Sequence, residues 1–427
     1  MGFGDAYINV QLIVQKLLDT PLIYDKRENR LLENPKMGSI WCMKMWYIGN
    51  MFITMVELYS ICHLAKLIKY FDYDLSPKAY REEILVYVFT VAITTQSAMT
   101  WYTVERDPKW LALVMNDVFH SFDIKYRGWP NKNRAPHVTE IVAYILTLSF
   151  VFFPVGPIIL PIIRKYDPIN RMFMLLIPIL SDKQRLVLVI IAYFLSCLFG
   201  AVSALMLILL TLTHSFVLRK LMHQNILVSK IGIDYLTNRD GKRIKASLMN
   251  MRLFTSANRK CLLELLDIKN YNYSDSGGWW NLHWLFRKRY IFHTQACIII
   301  RAINHNLHLY VPCMTSVGIV LCVTSNYGVI AFYGRLAKVM IVFMIFTTIC
   351  VGGLMMFMLL YASRPVVDSE SFIRMWKRSG IGKRDRKQLK GAPIVAFTMG
   401  SHFTIQRRTA MDTMDTILNY TVSVLMS

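Results

Sequence analysis

Residues 339–363 read VMIVFMIFTTICVGGLMMFMLLYAS, 25 positions without one Asp, Glu, Lys or Arg. As a helix rising 1.5 Å per residue this stretch is about 38 Å long, enough to cross a hydrocarbon core of about 30 Å. Working outward, charge-free stretches recur at 302–334, 186–218, 141–163 and 84–104. Each exceeds the roughly 18 residues needed to span a bilayer. Two further candidates carry charge: Met43 to Leu64, which holds Glu57, and Phe403 to Ser427. The pattern predicts an all-α, polytopic membrane protein with seven transmembrane helices.

Composition agrees with that partition. The chain has 427 residues, 49 Lys+Arg against 27 Asp+Glu, a formal charge of +22, and yet 54% hydrophobic residues and a mean hydropathy of +0.36. Its 18% of charged residues falls below the roughly 25% of soluble domains, so charge is gathered between the apolar stretches. Attraction to an anionic inner leaflet accounts for the basic runs, and no nucleic-acid partner is expected. Asp5, Asp19, Asp25 and Lys26 interrupt the N-terminal apolar residues, so no secretory signal is expected. The eight cysteines form no C-x-x-C pair, and neither a metal site nor a cofactor is expected.

Basic residues set the threading, because cytoplasmic flanks are enriched in Lys and Arg. With the N-terminus inside, the cytoplasmic segments hold 38 basic residues and the outer ones 11. Setting aside the long 214–306 segment, which weighs little, leaves 23 against 11. The expectation is a cytoplasmic N-terminus and an extracellular C-terminus. That orientation argues against a G-protein-coupled receptor, as does the lack of its Asp/Glu-Arg-Tyr and Asn-Pro-x-x-Tyr motifs. The sequons at Asn272 and Asn419 fall in the cytosol and within a membrane helix, where glycosylation is not expected.

The chain then divides into a cytoplasmic segment (1–42), helices one to four (43–213), a cytoplasmic helical segment (214–306), helices five and six (307–361), a second cytoplasmic segment (362–402) and helix seven (403–427). Within 214–306 the fourth helix should continue from His214 to Tyr235, turn at Asn238, Asp240 and Gly241, and resume from Arg243 to Leu266. The stretch from Trp279 to Arg289 suits either the headgroup layer or a packed helix corner. Met172 to Leu180, an apolar run too short to span, reads as a lid over the bundle or as a loop resting on lipid.

The functional signal lies in the closing helix. Its charge-free part, Thr416 to Ser427, is 12 residues, or about 18 Å of helix, so a crossing must include Asp412, Asp415 and Arg408. Charges at membrane depth need a partner or water. Arg408, Asp412, Asp415 and Asn419 stand at i, i+4, i+7 and i+11 and share one face, which Val422 continues outward. A polar inner half leading to a constriction at Val422 or Leu425 suits a cation conduit. The alternative is helical pairing of exposed charges in the cytosol.

Four pieces of the last third resemble the arthropod gustatory and odorant receptor superfamily. They are the helix Tyr290 to Leu307 with Asn304 near its end, the stretch Ser369 to Trp376, the basic loop Lys383 to Lys390, and Gly400-Ser401-His402-Phe403-Thr404-Ile405 before the terminal helix. Gustatory members usually close with Thr-Tyr, an apolar run and Gln-Phe. Here Tyr420-Thr421 stands reversed without the Gln, as in a divergent member. The resemblance implies a plasma-membrane chemosensory receptor that acts as a ligand-gated, nonselective cation channel. It implies a homo- or hetero-tetramer whose last helices surround the pore at Asn419, Val422 and Leu425, with 214–306 and 364–402 joining the subunits. It also implies a pocket for a small organic tastant or odorant in the outer half of spans two, three, four and six. The aromatic residues at that depth are Tyr87, Phe89, Phe150, Phe152, Phe153, Tyr193, Phe194, Phe343 and Phe346.

The rival reading is a secondary transporter. Pro154, Pro157 and Pro161 interrupt the third span, but no matching half-repeat answers them. No enzyme is expected: His305 and His308 share a helix face without nearby acids, and Gly380-Ile381-Gly382-Lys383 lacks the rest of a phosphate loop.

Overall fold

A computed structural model describes residues 8, 11, 12, 15, 22–34, 40–65, 77–106, 108–121, 168–237, 277–334, 338–400 and 403–426. Helices dominate: α1 (Ile40–Leu64), α2 (Pro77–Arg106), α3 (Pro108–Ser121), α4 (Pro168–Leu176), α5 (Asp182–Thr237), α6 (Gly277–Leu307), α7 (Tyr310–Ala331), α8 (Lys338–Arg378), α9 (Lys383–Lys390) and α10 (Arg407–Met426). The all-α expectation needs one amendment. Two short antiparallel hairpins are present, β1 (Leu22–Asp25) with β2 (Arg30–Glu33), and β3 (Thr398–Met399) with β4 (Phe403–Thr404). The expected third span at 141–163 and helix at 243–266 lie outside the described residues.

Two of the helices are longer than the hydrocarbon of a bilayer is thick. The 56 residues of α5 and 41 of α8 measure about 84 and 62 Å, against about 30 Å of hydrocarbon. Continuation of the fourth helix past His214 is therefore observed, to Thr237. The divisions expected at 213/214 and 361/362 fall inside single helices; they mark a change of composition without a break in the chain's path. Among the described residues, two helices are long and apolar enough to cross a bilayer, Tyr310–Ala331 and Ile341–Arg378, with mean hydropathies of 1.5 and 2.3. Exposed apolar stripes run along α1 (Ile48, Met51, Met55, Leu58) and α8 (Val342, Ile345, Ile349). Apolar surface of that extent calls for a nonaqueous neighbour.

A proline separates α6 from α7. Pro312 has no N–H to give the carbonyl of His308, and its ring would collide with that carbonyl. In the first turn of a new helix neither matters. α6 therefore closes at Leu307, where His308 Nδ1 lies 2.7 Å from the His305 carbonyl, and α7 starts at Tyr310.

The main core joins the C-terminal halves of α5 and α8 to α6. Met222 of α5, Leu285, Phe286 and Ile300 of α6, and Phe372 and Trp376 of α8 are all buried in it. Phe286 meets Trp376 edge-on at 5.2 Å. The basic aromatic stretch thus packs as a helix corner through Leu282, Leu285 and Phe286, with Lys288 Nζ 4.4 Å above the half-buried Trp284 ring. The N-terminal hairpin joins the same core through Leu22, Tyr24 and Leu31. A two-stranded hairpin is marginal alone, and here both edges are held by side-chain amides. Asn116 of α3 accepts from Leu31 N–H (2.7 Å) and donates to its carbonyl (2.8 Å). Gln15 accepts from Tyr24 N–H at 2.8 Å.

Candidate functional site

α10 is placed by the strap that precedes it. Residues 391–400 and 403–406 form a strap, and side chains of α6 and α8 hold its backbone. Asn304 donates to the Ala396 carbonyl at 2.9 Å and accepts from Thr398 N–H at 3.2 Å. Ser369 Oγ accepts from Val395 N–H at 3.1 Å and lies 3.0 Å from His293 Nε2. The His293 ring stacks on Phe372 at 4.9 Å. It is fully buried, and burial pulls its pKa down to about 4, so it is neutral at cellular pH. Burial also pushes the neighbouring Cys297 thiol up to about 11, which leaves it unreactive. β3 and β4 then reverse the chain, with Gly400 at φ +65° in the turn. Thr409 Oγ1 accepts from Gln406 N–H at 3.0 Å, one half of a capping box that starts α10.

α10 then has two chemically different faces. Thr409, Ala410, Thr413, Ile417 and Thr421 are buried against α7 and α8, where Ile417 meets Cys322 and Met355. The threonines on this face need no external partner, because Thr413 and Thr421 donate to the carbonyls of Thr409 and Ile417 at 2.7 and 2.8 Å. Behind Ile417, Met355 lies close over Gly318, where an added Cβ would sit 2.3 Å from Met355 Sδ and the Met355 side chain would have to shift. The opposite face carries Arg408, Asp412, Asp415, Asn419, Val422 and Leu425, all exposed. Arg408 Nε lies 3.1 Å from Asp412 Oδ1. The six residues singled out from the sequence therefore share the side of α10 that its own chain leaves uncovered. Met411, Leu418 and Tyr420 are exposed as well.

The aromatic set is dispersed. Phe89 is buried and meets Phe343 edge-on at 6.0 Å, beside Val317, Leu321 and Cys313. Tyr87 faces another cluster, with Tyr59, Ile169, Met172 and Val189. Phe346 is 36% exposed. Tyr193 and Phe194 belong to α5, but their side chains, like all of Phe150, Phe152 and Phe153, lie outside the described residues. An apolar cavity of about 30 Å³ behind the strap, between Met314, Met358, Phe397 and Ile405, has room for about one water and for no organic ligand. Among the described residues no group of three or more His, Cys, Asp or Glu could hold a metal.

One buried charge cluster was not anticipated. Glu83 at the start of the second apolar stretch forms an ion pair with Arg171 of α4 and lies 3.3 Å from His63 Nε2. His63 stacks on Tyr87 at 4.3 Å. The cluster pins α4, whose Ile169 and Met172 are buried with Tyr59 and Tyr87. The first residues of the short apolar run, Met172 and Phe173, thus close over the helices as a lid, whereas Met174, Ile177 and Ile179 are exposed and the helix ends at Leu176. The signal was available: His63, Glu83 and Arg171 all flank apolar stretches at ends assigned to the same side. Glu57 likewise has a partner, the Thr95 hydroxyl.

No protein-family model and no curated protein sequence matches the chain. Solved structures do. The insect olfactory receptor OR5 from Machilis hrabei in complex with eugenol superimposes with a TM-score of 0.56 at 11% identity, over 98% of this chain and 97% of that one. A second structure of the same receptor gives 0.55 at 10% identity, over 98% and 96%. Across nearly its whole length, the chain has the fold of an insect olfactory receptor.

Proposed function

We propose that the protein is a divergent member of the insect odorant and gustatory receptor superfamily. It works as a ligand-gated, nonselective cation channel in the plasma membrane, opened by a small organic odorant or tastant. The observation that carries this reading is the two-faced α10. Its Thr409–Thr421 face is packed and internally hydrogen-bonded, and the Arg408–Leu425 stripe is left for something outside the chain. Several copies around an aqueous path would give that stripe water and one another, as a tetramer does. The likeness to a receptor solved with eugenol supports a small, weakly polar ligand, and Phe89 with Phe343 is the described part of a wall suited to one.

The seven-span threading with an inside N-terminus belongs to the same proposal. Segment ends assigned to one side meet in the fold: His63, Glu83 and Arg171 at the outer end, and Arg219 and Tyr361 at the inner end. In a host cell, alone and with a co-receptor, a panel of odorants and tastants that includes eugenol should evoke cation current. Asp412→Ala should reduce that current about twofold or more by weakening cation attraction at the inner mouth. Val422→Ala should raise the current that flows without ligand. Solute uptake without current, or a current indifferent to every change on this face, would reject the channel.

A further inference from the structure

Where α5 and α8 leave their apolar stretches, basic residues return on both helices at once. The stretch 186–218 is followed by Arg219, and 339–363 by Arg364. The two helices pack along each other, and Arg219 Cζ sits 5.6 Å from the centre of the Tyr361 ring. His223, one turn beyond Arg219, and Arg364 are exposed. Among the described residues, the acid facing them is Asp368. Burial raises its pKa, while the positive fields of His223, Arg219 and Arg364 pull it back. The next acid, Glu370, is engaged by Arg374 at 3.9 Å. Among the described residues, none of the three cationic side chains reaches salt-bridge distance of a carboxylate.

The surroundings are those of a lipid. Leu360 and Val367 flank Arg364 on the exposed face of α8, and the Phe357 and Tyr361 rings pair at 4.5 Å just above, toward the apolar stretch. Basic groups thus crown an apolar wall at the depth where hydrocarbon ends. We propose that the junction of α5 and α8 binds the anionic headgroup of an inner-leaflet phospholipid, with Arg219 and Arg364 on its phosphates and its acyl chain along Leu360 and Phe357. Basic pockets between helices on the cytoplasmic side recognise such headgroups. A free inositol phosphate lacks the chain that the apolar wall would hold. The inference rests on the threading proposed above.

The test uses the full-length protein in detergent and three probes: a short-chain phosphatidylinositol bisphosphate, the matching phosphatidylcholine, and free inositol trisphosphate. Preferential binding of the first is expected, weakened by salt. Arg219→Gln with Arg364→Gln should weaken it about thirtyfold, at about fivefold per basic group. Asp368→Asn should tighten it several-fold, a gain that misfolding cannot mimic. Equal binding of the neutral lipid, equally tight binding of inositol trisphosphate, or no gain with Asp368→Asn would overturn the proposal. A cysteine at position 219 that an impermeant thiol reagent labels from outside intact cells would overturn the threading itself, whichever way the binding falls.

Discussion

Arg171→Ala is expected to destabilise the packing of α4 on α1 and α2 by about 3–5 kcal/mol, the cost of leaving one member of a buried ion pair alone. The side chains of Arg171 and Glu83 are 9% and 3% exposed, so water cannot replace the lost partner. Glu83 would be left to His63, which lies 3.3 Å away and is neutral unless protonated. The lid α4 depends on the same bond, so losing it frees Ile169 and Met172 from the Tyr59–Tyr87 cluster. Arg171→Met combined with Glu83→Leu should recover most of the loss, since a well-packed apolar pair often equals or exceeds a buried ionic one. Chemical unfolding of the purified protein, read as a double-mutant cycle, checks both. Equal stability of wild type and Arg171→Ala would mean that the pair does not hold the lid.

Acid should loosen the strap that positions α10. His293 is neutral in the folded protein with a pKa of about 4, whereas in an unfolded chain a histidine titrates near 6.5. Above pH of about 6.5 both states are neutral and nothing is lost. Between about 6.5 and 4 the unfolded chain takes up a proton that the folded chain refuses, so stability falls as pH falls. Below about 4 the loss levels off, at a total of about 3 kcal/mol. Other groups titrate in the same window, so the readout is a difference. The thermal midpoint of His293→Asn should depend less on pH than that of wild type between 4 and 6.5. Parallel curves would show that the His293 ring is not the group responsible.

The long helices were legible because a charge-free run of more than about 18 residues is read as one helix. The runs at 186–218 and 339–363 have no use in water, and they became α5 and α8. The strap anchors were partly legible. Asn304 stood in a stretch that resembled a family, but that its amide clamps Ala396 and Thr398 is a contact over 90 positions, invisible to periodicity. The N-terminal hairpin was missed for a related reason. Its strands are four residues each, and its edges are held by side-chain amides that no periodicity announces, Gln15 just before it and Asn116, 85 positions from Leu31. Arg171 and Glu83 border apolar stretches in the sequence, but their pairing across segments follows from packing. The stripe on α10 was legible in full, since residues at i, i+4, i+7 and i+11 on a helix share a face whatever surrounds them. The aromatic set was chosen by depth alone, and depth does not fix direction around a helix: Phe343 turns to Phe89 while Phe346, three residues on, is exposed.

The central claim is that the uncovered face of α10 is wet and shared between copies. Cysteines placed singly along α10 in the expressed channel, with a charged thiol reagent applied during ligand-evoked current, address it most directly. At positions 412, 415, 419 and 422 the reagent should change the current within seconds, and at 413, 417 and 421 it should not. Modification confined to the Thr413–Ile417–Thr421 face, or absent from both, would contradict the account.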